Sequence, residues 1–260
     1  MSLEASAALA IAQRDFTKLV RDRARLVTDV VFPVFVFGLL GGMLNFSFGR
    51  ALGYDFLVYV LTGVFAQSLW QSAAMGMVFL LEDRENDFSQ EIFVSPISRY
   101  TIVLGKILGE SLVALPQGIA ALLFLLLVGL RPSAEQLLAL AGATAVICLF
   151  GGSFGLLVLG WLPNRRVATQ VFGFALLPQY FLAGVFNPLQ GLPAWLDAIA
   201  HLAPLRYAVD LARNVFYAGR PEASDTVLHP AGVDLAVIAL LLAAFLPLGT
   251  FLFVRAERNR

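Results

Sequence analysis

The chain has a single cysteine among 260 residues, so it holds no internal disulfide, and Cys148 lies in an apolar run that suits packing. Charge is scarce: Asp, Glu, Lys and Arg make up 14% of the residues, where soluble domains carry roughly 25%. Lys plus Arg, 18, equals Asp plus Glu, 18, and that balance gives no footprint for nucleic acid. The two histidines, His201 and His229, stand apart without a CxxC pair, so no metal site is expected. A GxxxxGK[ST] phosphate loop is missing, which excludes ATP hydrolysis by that route. No HExxH, paired-acid or Ser/His arrangement lies within the apolar runs, and this argues against an intramembrane enzyme. A cleavable signal peptide is not expected, because Glu4 and the charges of residues 14 to 25 precede the first long apolar run.

What is present is grease. Apolar residues make up 59%, and phenylalanine alone occurs 22 times. Six uncharged stretches approach or exceed the about 20 residues that a membrane-crossing helix needs. They are Val30 to Phe48, Phe56 to Leu81, Ser111 to Leu130, Gln136 to Asn164, Val167 to Leu196 and Leu235 to Val254. Backbone groups in lipid must bond within the chain, so each stretch is expected to be helical. The short connections at 49–55 and 131–135 make neighbouring helices antiparallel, and no soluble domain fits between them. The expected architecture is an all-α integral membrane protein with six transmembrane helices in one domain, residues 1–260. The loops on one side carry thirteen of the basic residues and those on the other carry five: Arg50, Arg131, Arg206, Arg213 and Arg220. By the positive-inside rule, both termini are expected in the cytoplasm.

Three polar or irregular segments break this pattern. Residues 3–25 predict an amphipathic helix in the interface plane, with Leu9, Ala12, Phe16, Leu19 and Val20 on one face and Arg14, Lys18, Arg21 and Arg25 opposite. Glu82 to Lys106 is a charged stretch between two apolar runs, and it reads as a short surface helix that turns back at Pro96. Residues 187–218 are punctuated by Pro188, Pro193 and Pro204 yet stay apolar. Two short re-entrant helices on the outer side fit better there than a solvated loop.

With those segments placed, the chain resembles the ABC-2 type exporter permeases, especially the short six-span kind of the daunorubicin-resistance and nodulation-factor export group. Three stretches carry the likeness: EIFVSPISRYTIVLGK from Glu91 to Lys106, GVFNPLQGLPAW from Gly184 to Trp195, and APLRYAVDLAR from Ala203 to Arg213. The resemblance implies a non-catalytic permease subunit in a bacterial plasma (inner) membrane. It implies a second permease copy, most simply a homodimer, and a separate ABC ATPase subunit that binds ATP and Mg. This chain itself is expected to hold no cofactor and no metal.

The resemblance also assigns residues 84–96 as a cytoplasmic coupling helix. Ile92, Phe93 and Val94 would form an apolar knob for a cleft in the ATPase, with Arg84, Glu85, Asp87, Phe88 and Glu91 in the same segment and Pro96 as its stop. Lys106 and Glu110, one helical turn apart, are either a gate or a snorkelling lysine with a structural partner. Arg206, Asp210 and Arg213 fall on one helix face at i, i+4 and i+7, as an ion-pair network or as a contact for an anionic substrate group. Phe32, Phe35, Phe37, Phe65, Phe172, Phe174 and Phe181 could line an apolar pathway or face lipid. Glycines 38, 41 and 42, and 151, 152 and 155, allow close helix contact. The expected function is export of a hydrophobic or amphipathic small molecule, drug or lipid-like, with a lipid-linked glycan or lipo-oligosaccharide as the alternative. An ion-driven secondary transporter would need ionisable residues at mid-membrane, and the centres of the six runs lack them.

Overall fold

In lipid the backbone finds no water to bond, and the chain answers with helices alone. The computed structural model describes residues 3–52, 54–81 and 98–258, and no strand occurs among the described residues. In chain order the helices are α1 (Leu3–Arg21), α2 (Arg23–Leu52), α3 (Phe56–Gly76), α4 (Arg99–Leu127) and α5 (Ala134–Leu159). There follow α6 (Arg165–Leu182), α7 (Ala194–Ala200), α8 (Pro204–Phe216), α9 (Ala223–Thr226) and α10 (Ala231–Arg258). Local chemistry sets several of the starts. Asp55 accepts the amides of Leu57 and Val58 at the head of α3. Ser133 and Gln136 form a reciprocal capping box for α5, and Asn164 accepts the Val167 amide at the head of α6.

Among the described residues, four stretches have the length and apolarity to cross a bilayer: Phe56–Leu81, Tyr100–Leu127, Ala134–Leu159 and Ala223–Ala256. The expected first span lies inside α2, which already begins at Arg23. The expected fifth span is not one helix. Helix α6 stops at Leu182, and Gly184 follows with a φ of +72°, a left-handed conformation that ends the helix and that glycine adopts without strain. Pro188 and Pro193 then keep the chain irregular until α7. The uncharged run from Val167 to Leu196 is therefore divided between a helix, a turn and the start of a second helix.

Helix α3 is the axis of the fold. Every residue from Tyr59 to Trp70 is buried, and α2, α4, α5 and α8 surround it. The α5 contact is the tightest. A Cβ on Gly151 would lie 2.3 Å from the Trp70 carbonyl oxygen, and one on Gly155 would lie 2.4 Å from that of Ala74. Residues of any other type at 151 and 155 would push the two backbones apart. Trp70 in turn packs on Phe154, with ring centroids 4.8 Å apart. In α2 the expected close contacts form at Gly38, against Phe124, and at Gly41, against Leu57 and Val60, while Gly42 faces open space. Helix α10 packs on α5 and α8.

The outer surface stays apolar. Helix α2 presents Phe35, Leu39, Met43 and Phe46 outward, and with Phe124 they edge an open groove of about 800 Å³. Of the phenylalanines singled out above, Phe65 and Phe172 are buried, while Phe35, Phe174 and Phe181 are exposed. The side chains of Phe32 and Phe37 lie outside the described residues.

Candidate functional site

Two charged clusters and a belt of amides interrupt the apolar interior. The first cluster joins α1 to α4. The Lys106 ammonium lies 2.8 Å from Asp15 Oδ2 and 2.9 Å from Glu110 Oε1, and all three residues are at most 4% exposed. Arg14 reaches the other Asp15 oxygen at 2.9 Å, so two cations meet two anions. The packing beneath explains why charge can be held here. Ala8 and Ala12 of α1 lie against Gly105 and Gly109 of α4, close enough that a Cβ on either glycine would meet an alanine Cα at 3.0–3.1 Å. Small residues four apart on both helices let the backbones approach, and Asp15 is carried in with them. Glu4 adds a cap, accepting from the Ser98 amide at 3.2 Å and from the Thr101 hydroxyl at the first turn of α4. These contacts rise together along both helices, so α1 runs parallel to the first turns of α4. On the far side, Glu110 packs over Gly76 of α3, where a Cβ would strike its carboxylate.

The expected apolar face of α1 is thereby split. Ala12 turns into α4 and Leu19 is buried, whereas Leu9, Phe16 and Val20 remain exposed. Those exposed residues form a stripe beside the buried seam, and the basic stripe lies on its other flank. This arrangement keeps a lipid-facing edge on a helix whose seam is occupied.

The second cluster lies at the opposite end of α3. Tyr59, which contacts it, and Gly76, which contacts the first, are separated by about 26 Å of helix. Arg206, Asp210 and Arg213 share α8, but each turns to a different partner. Arg206 donates to Asp197 on α7 at 3.0 Å, and that hydrogen bond holds the Asp197 carboxyl below its ordinary value of 3.8. Asp210 accepts the backbone amides of Leu228 and His229, both at 2.8 Å, and so fixes the chain just before α10. Arg213 is 1% exposed and turns into α3. It donates to the Tyr59 hydroxyl at 2.9 Å and to the Gly184 carbonyl at 2.8 Å, and its guanidinium lies 3.6 Å from the Tyr59 ring centre. The expected pairing within the trio gives way because this helix face meets α3, α7 and the loop before α10 at once.

Arg213 therefore stitches together three segments that are remote in sequence. Its targets are carbonyls, a hydroxyl and a ring, a set suited to the planar, delocalised guanidinium and not to an ammonium. The Tyr59 hydroxyl donates onward to the carbonyls of Gly184 or Asn187, at 3.1 and 3.2 Å. The left-handed Gly184 turn is thus pinned from two sides.

Between the clusters runs the belt of amides that reading for charge did not find. Gln67, Ser68 and Gln117 are buried, and Gln71 and Ser72 are half-buried. Gln67 donates to Gln71, and Gln117 donates to Ser72 at 3.2 Å. Tyr180 of α6 stands beside both glutamines of α3. Gln179 accepts the Leu205 amide at 3.4 Å and ties α6 to α8. The signal in the sequence was the run Gln67, Ser68, Gln71, Ser72 inside an otherwise apolar span.

The expected coupling helix, with Arg84, Glu85, Asp87, Phe88, Glu91, Ile92, Phe93 and Pro96, lies outside the described residues. Reading for motifs also left out Asp15, Tyr59, Asp197 and the group formed by Asp210, His229 and Asp234.

Comparison with known proteins falls on the same elements. Residues 6–217 match the family described as ABC-2 type transporter. A transport permease of Porphyra purpurea, ycf38, is 25% identical over 90% of this chain and 82% of its own length. A daunorubicin resistance ABC transporter permease protein of Streptomyces coeruleorubidus, DrrB1, is 25% identical over 89% of this chain and 79% of its own. Nodulation protein J of Rhizobium leguminosarum bv. viciae is 24% identical, covering 79% of each chain.

Proposed function

The chain belongs to the ABC-2 type transporter family, and we propose that it is the permease subunit of an ATP-driven exporter of amphipathic small molecules. In this reading the chain forms half of a pathway with a second copy of itself. A separate ATPase subunit docks on residues 84–96, binds ATP and Mg, and supplies the work. Both termini face the cytoplasm of a bacterial cell, and residues 187–218 face outward.

The observation that carries the substrate class is the contrast between the belt and the surface around it. The exposed faces of α2 and α6 offer Phe35, Leu39, Met43, Phe174 and Phe181 to an apolar body. Half-buried Gln71, Ser72 and Tyr180 offer neutral donors and acceptors at mid-span. A neutral amide belt satisfies hydroxyl, carbonyl or amine groups without the cost of burying a charge. Such a surface suits a molecule that is greasy over most of its area and polar at a few points, as drugs and lipid-like compounds are. A relative named for daunorubicin resistance as an ABC transporter permease is consistent with that class.

The test is reconstitution with an ABC ATPase that co-purifies with the chain, in inside-out vesicles. ATP-dependent uptake of a fluorescent amphipathic drug is expected, alongside a lipo-oligosaccharide as the second substrate. Gln71→Leu should lower drug uptake several-fold while ATPase docking persists. Uptake of the lipo-oligosaccharide alone would move the reading to glycan export. No ATP-stimulated movement of either, by a folded complex, would overturn it.

A further inference from the structure

We propose that Asp210, His229 and Asp234 form a divalent-metal site, of the kind that takes Zn²⁺ or Mn²⁺, which ties α8 to the start of α10. The three side chains bring one ligand atom each to within 4.8 Å of one another. His229 Nδ1 stands 3.2 Å from Asp210 Oδ2 and 3.7 Å from Asp234 Oδ1. Ligands around a tetrahedral ion with bonds of about 2.0–2.1 Å lie roughly 3.4 Å apart, so these separations bracket what an ion between them needs. One imidazole with two carboxylates is a borderline donor set, softer than an all-oxygen cage and harder than a thiolate one.

A second observation points to a ligand. Asp234 is 0% exposed. Its Oδ2 accepts from the Asn214 amide at 3.1 Å, but its Oδ1 is buried without a hydrogen-bond partner and faces His229. A buried carboxylate oxygen left without a partner is costly, and a cation at the centre of the three groups would satisfy it. The surroundings are fixed in advance. Asn214 orients Asp234, and the backbone amides of Leu228 and His229 orient Asp210. The His229 ring lies between Tyr207 and His201, at centroid distances of 6.3 and 6.0 Å. His229 is about a quarter exposed, which leaves the group within reach of solvent. Binding would displace any proton on Nδ1, so uptake should release protons and weaken as pH falls.

Occupancy would cross-link the helix that holds Arg213 to the last span. An ion arriving from outside the membrane could thus stiffen this end of the molecule without touching a substrate. The inference stands apart from the export reading, because binding of the ion needs no ATPase and no transport.

The experiment uses the full chain in lipid nanodiscs, without a histidine tag and stripped with EDTA. Dialysis against ZnCl₂ followed by metal analysis should find one Zn²⁺ per chain, and the melting temperature should rise with Zn²⁺. His229→Gln and Asp234→Asn should each raise the Kd at least tenfold and abolish the Zn²⁺-dependent rise. Asn214→Ala, which removes the bond to Asp234 Oδ2 and those to the Asp210 and His229 carbonyls but no ligand atom, should raise Kd by roughly 10–100-fold. Should either ligand variant fail to fold, Co²⁺ added to the unaltered chain should give a visible absorption band that Zn²⁺ bleaches. Failure of the unaltered chain to take up Zn²⁺ or develop that band would overturn the site, leaving a proton shared by the carboxylates. Unchanged uptake by folded variants would overturn it equally.

Discussion

Lys106→Met tests whether the α1–α4 cluster is an ion system or a coincidence of packing. Methionine keeps the apolar stem and removes the charge. Asp15 retains Arg14 at 2.9 Å, so the loss of the ammonium falls chiefly on Glu110, 2% exposed and packed over Gly76. The cost has a ceiling, because the carboxylate can take up a proton instead of staying charged. Neutralising a glutamate at pH 7 costs about 3.7 kcal/mol, from its ordinary value of about 4.3. Breaking a buried pair by removing one partner costs about 3–5 kcal/mol. The two estimates meet, and a loss of about 3–4 kcal/mol is expected at pH 7. The variant Asp15→Asn/Lys106→Met/Glu110→Gln leaves only the Arg14 charge, which is 23% exposed and reaches water, and should recover most of that loss. Unfolding of the chain in mixed micelles by added SDS gives the free energies. Maleimide labelling of Leu19→Cys, a buried position of α1, reports separately whether α1 has left α4. A loss below about 1 kcal/mol for Lys106→Met, or an equal loss in the triple variant, would refute the reasoning.

Three further outcomes follow from other parts of the molecule. Gly151→Ala should destabilise by about 1–3 kcal/mol, because the methyl meets a backbone oxygen that cannot move aside, while Gly142→Ala on the same helix meets open space and should be neutral or slightly stabilising in the same SDS titration. Asp197, with its carboxyl held below 3.8 by Arg206, contributes its tether above that value and loses it as pH falls further; fluorescence of Trp195, with Trp70 and Trp161 replaced, should change below pH 3.8 and not between pH 7 and 5. Phe93→Ala should weaken ATPase binding by about 2 kcal/mol or more without altering the melting temperature, and unchanged co-purification would remove residues 84–96 from the interface.

The long apolar runs made the helices legible, because a stretch of that length has few alternatives in lipid. The break at Gly184 was not legible as such. Glycine is common within membrane helices, and only the hydrogen bonds from Arg213 and Tyr59 show that this one turns the chain. Helix α1 was legible in part. Hydrophobicity pointed to Leu9, Ala12, Phe16, Leu19 and Val20, of which Ala12 and Leu19 are buried and the three others exposed. Close packing selects small side chains, and the seam was made by Ala8 and Ala12, with Asp15 drawn in beside them. The trio on α8 was found by spacing, but spacing along one helix says nothing of what faces it. Tyr59, Asp197 and His229 lie 154, 9 and 19 positions from their partners Arg213, Arg206 and Asp210. No periodicity reports a contact of that kind.

Helix α3 is held at one end by a carboxylate that belongs to a charged trio and at the other by a guanidinium. Apolar side chains in lipid exchange neighbours freely, since one greasy contact replaces another at little cost. A buried ion has no such liberty: every intermediate position must find it a counter-charge or a dipole. The segments stitched by Lys106 and Arg213 should therefore travel as one rigid block with α3. The freedom to shift is left to α2, which presents Phe35, Leu39, Met43 and Phe46 outward, so relative motion is expected along that apolar helix and not through the ionic ends.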